Sequence, residues 1–302
     1  MPSTALRHLT LILLAVVLGG CAMSGEKEIQ LGMESHPKFE QEFGGRYPDS
    51  QIQAYVNGVG MNVARYAGRP NLPWQFAVLN SEQINAFAVP GGFCYITQGL
   101  LFEMKNESML AGVLGHEAAH IAHRHSVQQI QRAQQAQGLS MTVGIVGGLF
   151  GYGWAGDVTN VVASLTLLTY SRGQEKEADL SGLKYMVQAS YNPQGMVQTM
   201  TVLQQASGGG KGGSPEFLSS HPNPGNRLEY LAEIIQKKYA AYAQTGKVGE
   251  EEFRQNVLAR RVAKVAQLPP PRVEGWCSLC RPPAGDTSGR KIGTVTYFLP
   301  RK

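Results

Sequence analysis

Leu114-Gly115-His116-Glu117-Ala118-Ala119-His120-Ile121-Ala122-His123-Arg124-His125 carries an H-E-x-x-H core, His116 to His120, inside an apolar run. Leu110, Val113 and Leu114 precede the core and Ile121 follows it, a pattern that predicts a substantially buried helix. Residues four apart on a helix share one face, about 6 Å apart along the axis. Two imidazoles placed in this way can grip one zinc ion at roughly 2.0–2.1 Å per Zn–N bond. Glu117 projects from the neighbouring strip, close enough to act on a water at that metal. The competing reading is a chance H-E-x-x-H on a solvated helix. The apolar flanks argue against it, because buried polar groups need partners.

Catalytic zinc takes three protein ligands and keeps one position open, so the two histidines call for a third donor. His123 shares the stripe of His116 but lies a full turn beyond His120, out of reach on a straight helix. His125 projects from the opposite face. Further along, Ser171-Arg172-Gly173-Gln174-Glu175-Lys176-Glu177-Ala178-Asp179 opens a second helix. Glu175 and Asp179 stand on one face of it and Glu177 on another. Glu175 as ligand, with Asp179 behind it orienting an imidazole N–H, would build two layers of the site from one helix. The rival reading is a solvated helix start, where acidic residues are favoured by the dipole alone.

The 302 residues are 43% hydrophobic and only 16% charged, with a net charge of +5. There is no dense Lys/Arg run, so no nucleic-acid partner is expected. Residues 1–20 read as a signal peptide: Arg7 and His8 form a basic start, and Leu9 to Leu18 an apolar stretch too short to span a bilayer. Leu18-Gly19-Gly20-Cys21 resembles a bacterial lipobox, in which Cys21 becomes the lipidated first residue; an ordinary secretory peptide is the alternative. Ala22 and Met23 lack the aspartate that resembles an inner-membrane retention signal, so the periplasmic face of the outer membrane is the expected location.

Residues 21–49 read as a short polar lead-in with a weak helix, 50–266 as the folded domain and 267–302 as a Pro/Gly-rich tail. Apolar residues at three- and four-residue spacing predict a helix over 50–67. The period then shortens to two, predicting three short strands at Gln75–Leu79, Asn85–Val89 and Phe93–Thr97. Together they suggest a small antiparallel sheet beside the H-E-x-x-H helix, within a mainly helical α+β fold. An exposed sheet edge can bind an extended peptide through its main chain, although a purely structural meander fits equally well.

A continuous helical region is expected over 106–137. The glycine-rich, apolar segment 138–170 is read as two short helices packed over the site or against a membrane. Further helices are expected to about Ser190, on to Gln205, over 228–242 and over 250–265. Cys94 falls in the expected core. Cys277 and Cys280 form one CxxC, for which a local disulfide is expected because a zinc ribbon needs a second pair.

Taken in order, His116-Glu117-x-x-His120 with Arg124-His125, Ser171-Arg172-x-x-Glu175-x-x-Ala178-Asp179, and His221-Pro222 with Arg227 resemble a known family. It is the family of zinc metallopeptidases that includes the CAAX prenyl endopeptidases, HtpX-type proteases and bacterial periplasmic lipoprotein peptidases. Asn85-Ala86-Phe87-Ala88-Val89-Pro90-Gly91-Gly92 and Thr97-x-Gly99-Leu100 fit the same pattern, so the resemblance covers about residues 50–240. It implies a zincin-type (gluzincin) domain with one catalytic zinc held by His116, His120 and Glu175, and with Glu117 as general base. Asp179 and Arg227 would orient these groups. His221 would stabilise the oxyanion or gate the open metal position, unless it merely caps the following helix. Strand residues Phe93, Cys94, Tyr95, Ile96 and Thr97 would receive the substrate peptide.

The multi-spanning helices of the prenyl and HtpX branches, and the C-terminal helical repeats of some periplasmic members, find no counterpart in this sequence. The expected function is therefore a lipid-anchored periplasmic zinc endopeptidase acting on unfolded or misassembled envelope proteins. The alternative is an assembly chaperone or adaptor that binds client strands and cleaves rarely. The intact Glu117 favours the enzyme, because binding alone needs no general base.

Overall fold

The computed structural model describes residues 23–138, 169–208, 216–221 and 227–261. The readings of the signal peptide and Cys21, of nearly all of segment 138–170, of Pro222, and of the Cys277/Cys280 tail lie outside those residues.

Three strands form the sheet, β1 (Gln75–Leu79), β2 (Ala86–Val89) and β3 (Phe93–Thr97), in the spatial order β1-β3-β2. β2 and β3 pair antiparallel across the turn at Gly91 and Gly92, both with positive φ. β1 and β3 pair in parallel, Gln75 opposite Phe93 through Leu79 opposite Thr97. The expected antiparallel sheet is therefore mixed. Each connection reverses the chain, and β3 drops into the slot between β1 and β2 alongside the strand two steps back. This placement also corrects the substrate-strand reading: Phe93, Cys94, Tyr95, Ile96 and Thr97 are paired on both sides, and all five are buried. A strand saturated in this way has no main-chain groups left for a peptide.

The far edge of β1 is also covered. Helix α2 (Ser50–Ala64) begins at Asp49, whose side chain accepts from the Gln51 and Ile52 amides. From α2, Gln53 accepts from Val78 N at 2.9 Å and donates to Val78 O at 2.8 Å, while Asn57 accepts from Phe76 N at 3.0 Å. These amide side chains satisfy the Phe76 and Val78 N–H groups, while Val78 O also accepts from Tyr47 N at 2.9 Å.

The lead-in segment forms α1 (Gly25–Glu42), an 18-residue helix rather than a weak one. Its buried face is Glu28, Gly32, Ser35 and Phe39, a helical spacing disguised by small and polar residues. A Cβ on Gly32 would sit 2.1 Å from Pro90 O, so only glycine lets α1 lie on the β2–β3 turn.

A four-residue helix, α3 (Gln98–Leu101), leads to the H-E-x-x-H helix, α4 (Glu107–Ala122). Asn106 caps α4 by accepting from Met109 N, and every residue from Glu107 to Ile121 is buried. Such a helix needs neighbours on all sides. α2, β2, α6 (Arg172–Gln188) and α7 (Gln194–Gly208) supply them. The crossing of α4 and α6 is set by two glycines: a Cβ on Gly182 would fall 2.7 Å from His116 N and 2.8 Å from Gly115 C.

The expected continuous helix over 106–137 is broken. Arg124 takes φ +58, and a new helix, α5 (His125–Gly138), starts beside α4. The expected helix over 228–242 is likewise interrupted, whereas the one expected over 250–265 is helical through 261, the last described residue there. α8 (Glu216–Ser220), α9 (Arg227–Lys238) and α10 (Ala240–Thr245) are separated at Tyr239, and α11 (Glu250–Phe253) runs into a π-helical turn over Arg254–Leu258. No helix of the described residues is long and apolar enough to cross a membrane.

Candidate metal centre

Four buried donors converge from two helices and the residue that follows α8. His116 and His120 come from α4, Glu175 from the first turn of α6, and His221 from just beyond Ser220. α6 is started in the right place by a capping box, in which Ser171 accepts from Gln174 N and Gln174 Oε1 accepts from Ser171 N at 3.1 Å.

His116 Nε2 stands 3.0 Å from His120 Nε2 and 3.3 Å from His221 Nδ1. Glu175 Oε1 stands 3.4 Å from His120 Nε2 and 3.0 Å from His221 Nδ1. A tetrahedron with a 2.0–2.1 Å radius has edges of about 3.3–3.4 Å, so these spacings fit one zinc ion. The donor chemistry, imidazole nitrogens and a carboxylate, fits the same ion.

Behind the donors lies a charged layer. His116 Nδ1 is 2.9 Å from Asp179 Oδ1, which fixes the tautomer that leaves Nε2 free for metal. Arg227, fully buried, donates from Nε to Asp179 Oδ2 at 2.8 Å and from Nη1 to Glu175 Oε2 at 2.9 Å. Glu175 thus points one oxygen at the donor cluster and rests the other on a cation. Burial opposes ionisation of Glu175, but His221, His116 and Arg227 together hold its pKa below the usual value. Burial, followed by the neighbouring histidines, pushes His120 well below its ordinary range, which keeps it neutral and able to bind metal.

Glu117 differs from the other carboxylates. It is buried, and neither of its oxygens has a hydrogen-bond partner. Burial pushes it up to about 8, an effect that His116 opposes and Glu175 reinforces. A carboxyl tuned toward neutrality beside a metal-binding group is suited to exchanging a proton.

The structure therefore brings together His116, Glu117, His120, Glu175, Asp179, His221 and Arg227. His123 stays outside the cluster, with Nε2 at 2.8 Å from Ser181 Oγ. His125 does not point away, as a straight helix would require. The turn at Arg124 folds it back until its Nδ1 is 3.0 Å from His120 Nδ1. Tyr170 also escaped the sequence reading. Its ring lies 3.9 Å from that of His120, its hydroxyl is 2.9 Å from Ser126 Oγ, and its amide donates to Ser220 O. A lone tyrosine before a helix cap gives no pattern to find it by.

A buried H-E-x-x-H helix with a glutamate donor from a second helix defines a zincin-type zinc metallopeptidase. Peptidase family M48 matches residues 50–235, and the chain belongs to that family. It is 31% identical to a beta-barrel assembly-enhancing protease of Yersinia pestis over 187 residues, 60% of this chain and 38% of that protein. It is 28% identical to the protein of that name in Escherichia coli K12, covering 69% of this chain and 44% of the relative. The mitochondrial metalloendopeptidase OMA1 of Schizosaccharomyces pombe is 29% identical over 69% of this chain and 61% of its own length. The chain thus spans less than half of these bacterial relatives and about three-fifths of the yeast one.

Proposed function

We propose that this chain is an endopeptidase of the bacterial envelope, held to the periplasmic face of the outer membrane by a lipid on Cys21, that hydrolyses unfolded or misassembled envelope proteins. The observation that carries the catalytic reading is Glu117, a buried carboxylate with no hydrogen bond, 3.7 Å from His221 Nε2 and set beside four donors with zinc spacing. The printed names of the bacterial relatives, which join beta-barrel assembly to protease, support the substrate class.

His116, His120 and Glu175 would hold the zinc, which when bound supplies Lewis acidity and lowers the pKa of water. Glu117 accepts a proton from the attacking water as its oxygen bonds to the scissile carbonyl carbon. Glu117 then delivers that proton to the amine as the C–N bond breaks. Substrate main chain is best placed along β2: β3 is saturated, β1 is covered by α2, and β2 packs directly on α4.

His221 supports a latent resting state. Its Nδ1 lies within the donor set, and four protein ligands would complete a tetrahedral zinc and exclude water. That geometry also gives weight to the second reading, an assembly chaperone or adaptor that binds strands and cleaves little.

The deciding experiment compares the full chain with Glu117→Gln. The variant is expected to retain zinc, lose casein cleavage by about 10²–10⁴-fold and trap envelope clients. Undiminished cleavage would refute the mechanism, and client binding without cleavage in the unaltered chain would favour the adaptor. Radioactive palmitate should label the chain and fail to label Cys21→Ser.

A further inference from the structure

We propose that His125 and Glu177 are positioning residues that select the metal-binding tautomer of His120. The inference rests on the reading of His116, His120 and Glu175 as zinc ligands. It adds for His120 what Asp179 supplies for His116.

The geometry is a chain of three groups. His120 presents Nε2 to the donor cluster, so in the metal-binding form its proton must sit on Nδ1. That Nδ1 faces His125 Nδ1 at 3.0 Å, and two facing ring nitrogens can share only one proton. If His125 carried the proton there, the proton of His120 would be forced onto Nε2 and would block the metal. The far side of His125 decides between the two. Its Nε2 is 3.0 Å from Glu177 Oε2, and a carboxylate accepts but does not donate. Glu177 therefore holds the proton of His125 on Nε2, leaves Nδ1 as an acceptor, and so draws the proton of His120 onto Nδ1. Each group in the chain has one proton to give or one lone pair to offer, with no conflict.

The backbone is shaped for this contact. A non-glycine residue in the left-handed region is uncommon, and Arg124 is held there by Glu28 Oε2, 2.9 Å from its Nε, and by an Nη2 hydrogen bond to Met23 O. The turn puts His125 beneath His120 rather than across the helix. Glu177 is held in turn by His123, whose Nδ1 is 3.3 Å from its other oxygen. His125 is buried, whereas the Glu177 side chain is 52% exposed, so the outer end of the chain can be altered without opening the core.

The test uses the full chain and measures zinc affinity by chelator competition for the unaltered protein, Glu177→Ala, His125→Leu and His125→Gln. Outer-shell partners of metal-bound histidines are typically worth 10–100-fold in affinity. Glu177→Ala and His125→Leu are each expected to weaken zinc binding within that range. His125→Gln, whose amide oxygen can still accept from His120, should recover part of the loss. The cobalt-substituted protein gives a second readout, the exchangeable imidazole N–H protons shifted by the metal. In Glu177→Ala the His120 proton should exchange with solvent faster, while the His116 proton, held by Asp179, should not change. Zinc affinity and proton exchange both unaltered in Glu177→Ala would overturn the proposal. A His116→Ala control separates the two readings: if it holds zinc as tightly as the unaltered chain, the ligand set is wrong and the relay falls with it.

Discussion

His221 Nδ1 lies 3.0 Å from Glu175 Oε1, so a residue at the end of a five-residue helix completes a donor set built by two long helices. Its ring stacks on Phe217 at 4.3 Å, and its amide donates to Phe217 O, which fixes the imidazole at rest. Because a fourth protein ligand excludes the reactive water, His221→Ala should weaken zinc binding and raise peptide turnover together. Parallel measurements of zinc affinity and casein cleavage check this. A loss of both would instead make His221 a stabiliser of the reaction itself.

Arg227 is buried against Asp179 and Glu175. Truncating one member of a buried ion network leaves uncompensated charge and costs about 3–5 kcal/mol. Arg227→Ala should therefore lower the unfolding midpoint of the metal-free protein by that equivalent. Added zinc should restore part of the loss, because Glu175 regains a cation. Thermal scans with and without zinc read both effects.

Gly182 backs onto the main chain of α4, and backbone atoms cannot swing aside for a methyl group. Gly182→Ala should cost about 1–3 kcal/mol by overpacking. It should also weaken zinc binding, since separating α6 from α4 draws Glu175 away from His116. An alanine variant with unchanged zinc affinity would show that the crossing has more slack than its geometry implies.

Asp49 caps α2 and pairs with Arg260 at 2.9 Å. Burial pushes its pKa upward, but Arg260 and the Ile52 and Gln51 amides outweigh that and hold it below its ordinary 3.8. A depressed carboxylate contributes stability that is fully present above pH 3.8 and lost as pH falls below it. Asp49→Asn keeps the cap and removes the charge. It should cost about 0.2–1 kcal/mol at pH 7, and the difference should shrink as pH falls below the ordinary 3.8, as read by urea midpoints.

The parts of this molecule legible in the sequence are those whose signal is local. The spacing of His116 and His120, and of Glu175 and Asp179, follows from helical geometry alone. The parts that were not legible depend on contacts between distant segments or on one unusual dihedral. The parallel pairing of β1 with β3 carries no local mark, so a run of three strands reads as a meander. His125 lies off the face a straight helix gives it because the chain turns at Arg124, and a positive φ at arginine has no compositional signature. α1 hid for a different reason. Its buried face is built on Glu28, Gly32 and Ser35, which periodicity reads as solvent-facing, while Arg69 and Arg124 neutralise the carboxylate from other elements.

That clamp bears on where the working unit begins. The family match opens at residue 50 and closes at 235. Yet Glu28 ties Arg69, which also donates to Ile121 O, to the end of the H-E-x-x-H helix. Beyond the other limit, Lys247 reaches back to Glu107 at the start of that helix, and Arg260 to Asp49. A fragment trimmed to residues 50–235 would sever the fastenings at both ends of one helix. Its inactivity would then report the cut, not the chemistry.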